Sequence, residues 1–292
     1  MSPAHRTTLP ILAVLGSIAS LCVGTSLAKH LFPVIGAPAT TLLRVGFAAV
    51  LMLAIQRPWK AWPAPRALGL VAAYGVVLGA MNLSFYLALR TIPFGIAVAI
   101  EFTGPLAVAL LSSRRALDFV WIAFAVAGLA LLVPRASLDA ALDPAGVAWS
   151  LAAALCWALY IVIGQRAGQA AGAATVPLGL VVAALVVAPF GAAHVGDVFA
   201  TPALLAFAAG VALLSSAIPY SLEIYALRHL PRQTFGILLS LEPAVAALAG
   251  WLLLSEILGS RQWLAIGCIM IASAGAALAA RRRKPTVRAV EG

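Results

Sequence analysis

The sequence predicts an all-α integral membrane protein of ten transmembrane helices, arranged as two inverted five-helix repeats around a central cavity. Three observations lead to this fold class. The 292 residues are 63% hydrophobic and only 10% charged, whereas a soluble domain is nearer half apolar and a quarter charged. Apolar runs long enough to cross a bilayer as helices recur along the chain. Short sequence matches also relate the first half of the chain to the second.

The apolar runs give the elements in order. The predicted spans lie near residues 9–30, 38–56, 67–89, 93–112, 118–134, 145–165, 174–193, 203–226, 233–254 and 262–280. Short connectors rich in proline, glycine and polar residues, such as "QRPWKAWPAP", separate them.

The net charge is +10, and the distribution of Lys and Arg between the two sides of the membrane predicts the orientation of these spans. With ten spans, both termini lie on one side, and 14 of the 19 Lys and Arg residues fall on that side. Four fall on the other side, and Arg44 lies within the second span. Because positive residues stay in the cytoplasm, both termini are expected to be cytoplasmic. The charge therefore reflects membrane topology rather than nucleic-acid binding, and the basic tail "RRRKPTVR" is expected to contact membrane lipid.

The two halves of the chain contain matching segments. "ALRTIP" at 88–93 matches "ALRHLP" at 226–231, and the same offset relates Pro105 to Pro243. We therefore predict one repeat over residues 1–137 and a second over 138–292. Because each repeat has an odd number of spans, the second enters the membrane upside down. Inverted repeats are typical of transporters whose substrate site lies near the middle of the bilayer.

Ionisable groups inside the spans are the main candidates for a site. A charge at the bilayer centre costs about 2.5–3.5 kcal/mol on insertion scales and usually marks function. Glu101, in "IEFTGPLAV", and Glu242 each lie near a proline, which frees a backbone carbonyl and opens the helix locally. We predict that Glu101, Thr103 and Glu242 bind substrate. The predicted hinge residues are Gly104, Pro105, Pro219 and Pro243. The alternative is that Glu101 is protonated and bonds a neighbouring helix as a structural group.

Two further charged residues have more than one interpretation. Arg44 either neutralises an acid such as Glu101, holds a substrate carboxylate, or forms a purely structural buried pair. Glu101 and Glu223 are candidates for proton coupling. Alternatively, the Glu223 side chain extends to the membrane–water interface or pairs with Arg228. Polar and aromatic residues away from the span ends are also expected to line the cavity and bind substrate. They are Asn82, Tyr86, Trp157, Tyr160 and Tyr220.

Motifs of other functional classes do not occur in the sequence. It has no phosphate-binding glycine loop, no HExxH and no hydrolase elbow. The three cysteines have no metal-ligand spacing. The chain is therefore predicted to be a secondary transporter, with no catalytic residues, metal or cofactor. A non-transporting membrane protein is the rival class, and it would be expected to contain a catalytic cluster.

Several sequence blocks resemble the EamA repeats of the drug/metabolite transporter superfamily. "LSLEPAVAALAGWLLLSEILGSRQWLAIG" is similar to the family pattern of Glu-Pro, a small-residue helix and Leu-x-Glu, and it departs at Ser255, where glycine is usual. "EFTGPLAVAL" and "LPRQTFGILLSLEP" resemble the threonine/homoserine exporter branch. The resemblance implies multi-pass export of small amino acids across the bacterial inner membrane. Aromatic amino acids, other metabolites or drugs are the alternative cargo. A single chain of ten spans is expected to act as a monomer, with a dimer as the alternative.

Overall fold

The computed structural model describes residues 3–60, 62–111, 116–132, 142–229, 235 and 238–281. Within these ranges the chain forms helices and no strands. The helices are α1 (Pro3–Lys29), α2 (Phe32–Gln56), α3 (Pro65–Ala88), α4 (Phe94–Glu101), α5 (Thr103–Leu111), α6 (Ala116–Leu132), α7 (Pro144–Ala171), α8 (Thr175–Gly191), α9 (Gly196–Ala200), α10 (Pro202–Ala212), α11 (Ile218–His229), α12 (Glu242–Leu254) and α13 (Ser260–Arg281). A π-helical turn, Leu213–Ala217, joins α10 to α11.

The surface of the bundle is largely apolar. Large side chains such as Leu111, 87% exposed, and Val50, 66% exposed, lie on its outside. Soluble monomers rarely expose extended apolar surfaces, so lipid is the solvent that these side chains fit. In the part of the chain that the structure describes, four helical stretches are long and apolar enough to cross a membrane: Thr8–Lys29, Phe32–Gln56, Pro65–Ala88 and Pro144–His194, the last holding two helices. The prediction of a helical membrane protein is confirmed.

Helices occupy most of the described part of the predicted apolar segments, and the differences lie at their ends and breaks. Residues 112, 133–134, 233–234 and 236–237 of the predicted spans lie outside the described residues. Helix α2 has a non-helical residue at Gly36, with φ 78°. Its regular part follows this residue and so begins close to residue 38, the predicted start of the span. Helix α7 continues to Ala171, beyond the predicted end near residue 165, because Gln, Arg and Ala favour helix. Gly172 ends it at φ 56°. The short α9 lies in a segment predicted as a connector.

The helices pack in a few principal pairs. Helix α3 packs along α7 and α8, and α2 packs against α8 and α10. Helix α1 contacts α11 and α12, α4 contacts α7 and α12, and α6 lies along α13. Small residues allow the closest approaches, as between Gly95 of α4 and Ala247 of α12. Such small-residue contacts are typical of membrane helices, where the lipid supplies no hydrophobic force between them.

A side-chain cap fixes the start of α7 outside the apolar segments. Asp143 precedes the helix, and its Oδ1 accepts a hydrogen bond from the Ala145 N–H at 3.1 Å. Hydrogen bonds from the Thr91 side chain and from this N–H hold the pKa of Asp143 below its usual value. The same carboxylate thus begins α7 and ties it to the loop before α4.

Ser255 ends α12 in a backbone conformation that is unfavourable for a residue with a Cβ. Its φ and ψ are 55° and 29°, the left-handed region, and its N–H bonds the Gly250 carbonyl. This geometry explains why glycine is usual at the position in the similar family pattern. We expect Ser255→Gly to stabilise the protein by about 1 kcal/mol, since glycine has no Cβ to strain there. The measurement is the thermal unfolding midpoint in detergent. Ser255→Ala is the control, because alanine keeps the Cβ, and an equal gain from both variants would contradict the explanation.

Candidate functional site

The segment around Glu101 is a break between two short helices. Helix α4 ends at Glu101 and α5 begins at Thr103. The cause is Pro105, which lacks the N–H that would bond the Glu101 carbonyl four residues earlier. Thr103 Oγ1 donates to the Ile100 carbonyl at 2.6 Å, so this hydroxyl satisfies its own helix end. The predicted break is therefore present, and it leaves the carboxylate at the end of a fully buried helix.

Glu101 lies among other charged groups. Its side chain is only 8% exposed. Its charge interacts with those of Glu242 and Arg44, and the charges of Glu242 and Arg44 also interact with each other. Glu242 is the first residue of α12 and Pro243 follows it, so this acid also lies at a helix end. Glu223, in α11, also interacts with the charge of Glu242. The structure thus places Glu101, Glu223 and Arg44 within electrostatic range of Glu242.

Arg44 makes three hydrogen bonds inside the bundle. Its Nη1 donates to Asn82 Oδ1 at 2.8 Å. Its Nε donates to Ser215 Oγ at 3.0 Å and its Nη2 to the Ser215 carbonyl at 2.9 Å. The side chain is 7% exposed. These bonds fix the guanidinium between α2, α3 and the π-helical turn.

Tyr86 lies beside this guanidinium. The centre of its ring is 5.4 Å from Arg44 Cζ. Tyr86 is fully buried, and its hydroxyl has no hydrogen-bond partner among the described residues. Thr25 and Arg44 are its polar neighbours, but neither forms a bond of normal geometry with it. A buried hydroxyl without a partner costs free energy and is unusual in a folded protein.

Glu223 lies apart from the Arg44 bonds, in α11. Its Oε1 accepts a hydrogen bond from Ser17 Oγ at 2.8 Å, which joins α11 to α1. The Ser17 hydroxyl also lies 3.3 Å from the carbonyl of Pro219. The Arg228 side chain, proposed as a partner of Glu223, lies outside the described part of the structure.

The two predicted α7 aromatics contact rings on different helices. Trp157 meets Phe102 edge to face, with ring centres 5.0 Å apart. Tyr160 meets Tyr74 of α3, also at 5.0 Å, and their hydroxyl oxygens are 3.3 Å apart. Trp157 therefore packs directly on the residue at the α4–α5 break. Tyr220 lies in α11, and its side chain is outside the described residues.

A second charged cluster lies at the end of the bundle where α1 finishes. Lys29 and Glu256 form an ion pair. The other carboxylate oxygen of Glu256 accepts a hydrogen bond from the Phe94 N–H at 2.7 Å. Glu256 therefore joins α1 to the N-terminus of α4. The sequence analysis did not identify this ion pair.

Ser215 and Ser17 were also missed by the sequence interpretation. A signal was available, because Ser215 lies four residues before Pro219, where the proline frees its carbonyl. Serines are common at close helix contacts, so such spacing alone would not have singled it out. Metal chemistry has no support in the described ranges, where no cluster of three or more His, Cys, Asp or Glu residues occurs.

An apolar helical bundle that buries a guanidinium and carboxylates together is built like a membrane transporter. The sequence profile of the EamA-like transporter family matches residues 144–278. The threonine/homoserine exporter RhtA of Escherichia coli is 47% identical over 274 residues, covering 94% of this chain and 93% of the relative. The chain therefore belongs to the EamA-like transporter family. The predicted resemblance is confirmed, and so is the prediction of a transporter rather than an enzyme.

Three further comparisons show similar sequences and a similar fold. RhtA of Salmonella typhimurium is 46% identical over 97% of this chain and 96% of its own length. The uncharacterised inner membrane transporter YedA of Escherichia coli is 29% identical over 63% of this chain and 61% of its own. A protein of known crystal structure superposes with a TM-score of 0.57 at 19% identity, over 96% of this chain and 99% of its own. At that identity the likeness concerns the fold alone.

Proposed function

We propose that this chain is a secondary transporter that exports small neutral amino acids, such as threonine and homoserine, across the bacterial inner membrane. The observation that carries the proposal is the burial of Arg44 near Glu101 and Glu242. A zwitterionic amino acid needs an anionic partner for its ammonium and donors for its carboxylate. The names of the two RhtA relatives support the same cargo.

The proposed site residues form two groups, one for the ammonium and one for the carboxylate of the substrate. Glu101 or Glu242 would hold the ammonium of the substrate. Arg44, Asn82 and tyrosine hydroxyls would hold its carboxylate, since all can donate hydrogen bonds. The tyrosines proposed to line the site are Tyr86, Tyr160 and Tyr220, and Thr103 and Trp157 complete the proposed lining. Glu101 and Glu223 are the proposed proton-coupling groups, if export is coupled to protons rather than driven by the substrate gradient alone.

The proposed architecture is ten transmembrane helices in two inverted repeats, residues 1–137 and 138–292. The packing pattern supports it. In the order of the two repeats, α1 corresponds to α7, α2 to α8, α3 to α10 and α11, α4 to α12, and α6 to α13. Exchanging corresponding helices turns the α3–α7 pair into the α11–α1 pair. It turns the α3–α8 pair into the α10–α2 pair, and it leaves α2–α8, α4–α12 and α6–α13 unchanged. Such two-fold exchange is expected of inverted repeats.

Alternating access would expose the central cavity to each side of the membrane in turn. The proposed hinges are Gly104, Pro105, Pro219 and Pro243, which lie where the helices are interrupted or begin. Both termini would be cytoplasmic, as the charge distribution favours. We propose a monomer as the transporting unit.

Counterflow in liposomes tests the proposed function. Purified protein is reconstituted in vesicles loaded with unlabelled threonine, and uptake of labelled threonine is followed. Competitors outside the vesicles are homoserine, phenylalanine, methionine and a cationic dye. We expect counterflow that homoserine inhibits and the dye does not. Counterflow inhibited mainly by phenylalanine or the dye would change the cargo, and folded protein without any amino-acid flux would contradict the proposal.

A further inference from the structure

The π-helical turn Leu213–Ala217 lies directly before a proline. Pro219 has no N–H, so it can bond neither the Ser215 carbonyl, four residues earlier, nor the Leu214 carbonyl, five residues earlier at the spacing of a π turn. Ser20 Oγ donates to the Leu214 carbonyl at 2.7 Å. Inside a membrane such a carbonyl must be satisfied by another group of the protein. A π-helical turn within a helix is rare and is frequent at functional sites.

Arg44 supplies the donor that the proline removes. Its Nη2 bonds the freed Ser215 carbonyl, and its Nε bonds the Ser215 hydroxyl. The hydroxyl itself donates to the Val211 carbonyl at 2.6 Å. Asn82, the third partner, donates its own Nδ2 to the Leu78 carbonyl at 2.9 Å. All the acceptors around Arg44 are thus held in place by their own helices, and they fix the guanidinium rigidly.

These three acceptors are all neutral. No carboxylate oxygen forms an ion pair with Arg44 in the described ranges, where the one ion pair is that of Lys29 and Glu256. A guanidinium has five N–H donors, and three are used here. The neighbouring Tyr86 hydroxyl is buried, and no group in the described part of the chain forms a hydrogen bond with it. A buried cation with unused donors, beside an unused hydroxyl, is suited to a carboxylate that enters from outside the chain.

We infer that Ser215 and Pro219 position Arg44 so that its two remaining N–H groups, together with the Tyr86 hydroxyl, bind the carboxylate of the substrate. The inference rests on the proposed function and adds to it the residues that position Arg44 and the preference for a free carboxylate that follows from this position. The site takes molecules with a free carboxylate and rejects the corresponding amino alcohols. Ser215 is a positioning residue, because it acts through Arg44.

The test compares threonine with threoninol, the amino alcohol that lacks its carboxylate, as competitors of labelled threonine in counterflow. In the wild type, threoninol is expected to need about a hundredfold higher concentration than threonine, since a site built for a polar group rejects analogues lacking it. Ser215→Ala removes one acceptor of Arg44. Pro219→Ala adds an N–H that can compete for the Leu214 and Ser215 carbonyls, which Ser20 and Arg44 now bond. Both variants should raise the half-maximal concentration of threonine about tenfold and leave that of threoninol unchanged.

Two further variants are matched controls. Ser215→Thr keeps the hydroxyl and should restore the preference for threonine. Ser216→Ala changes the adjacent serine, whose hydroxyl does not bond Arg44, and should leave both concentrations unchanged. The unfolding midpoint of each variant in detergent identifies any that fail to fold.

The outcomes separate this inference from the proposed function. A reduced preference for threonine over threoninol in Ser215→Ala and Pro219→Ala supports the inference. Equal weakening of both competitors, or an unchanged preference in both variants, would overturn it while leaving amino-acid transport in place. A wild-type protein without threonine flux would overturn the proposed function, and the inference with it.

Discussion

Glu101→Gln should lower threonine counterflow about ten- to a hundredfold. Glutamine has nearly the same shape as glutamate, but it carries no charge and exchanges no proton. A hydrogen bond to a charged group contributes about 1.5–3 kcal/mol, and each 1.4 kcal/mol is a factor of ten. The burial of Glu101 at the end of α4, near Arg44 and Glu242, is the reason to expect the upper part of this range.

The control for Glu101→Gln is Asp143→Asn. It makes the same acid-to-amide change at a residue outside the predicted spans, and asparagine caps a helix as well as aspartate. We expect normal counterflow from this variant. Full counterflow in Glu101→Gln, measured under the same conditions, would instead make the "EFTGP" segment a structural break with a neutral glutamic acid.

Gly104→Ala should destabilise the protein by about 1–3 kcal/mol, the usual cost of overpacking. A Cβ at this position would overlap the backbone carbonyl of Ala154, where α5 crosses α7. Both clashing groups are attached to backbone, so neither can turn away as a side chain would. The loss is measured as a lower thermal unfolding midpoint in detergent.

Gly46→Ala is the matched control for this substitution. Gly46 is also helical, but a Cβ there would meet nothing within 4 Å. Since alanine favours helix over glycine by about 0.5–1 kcal/mol, this variant should be slightly more stable than the wild type. Similar shifts in the two variants would show that the contact between α5 and α7 is not as close as described.

The helices and their breaks could largely be predicted from the sequence, for physical reasons. A bilayer imposes a minimum length on apolar runs, and proline removes a backbone donor wherever it occurs. The break between Glu101 and Thr103 and the start of α12 at Glu242 follow from these rules. The π-helical turn does not follow, because apolar sequence on every face leaves no periodicity to show where a helix gains a residue.

The candidate site was predicted residue by residue but not in its contacts. Arg44 and Asn82 were each selected for polarity inside a span, and they bond each other. Ser215 was not selected, since serine is neither charged nor costly enough to stand out. Its role depends on α2 meeting the π-helical turn, a contact between residues 171 positions apart in the chain. A single sequence does not show which distant residues will be in contact, so this contact could not be predicted from it.

Equilibrium binding of labelled threonine to the purified protein most directly tests whether the buried charges form an amino-acid site. The wild type is expected to bind threonine saturably, with homoserine displacing it. A variant carrying both Arg44→Met and Glu101→Gln, shown to be folded by its unfolding transition, should not bind measurably. Saturable binding that survives in the double variant would place the amino-acid site elsewhere in the bundle, and folded wild-type protein that binds no threonine would contradict the proposed function.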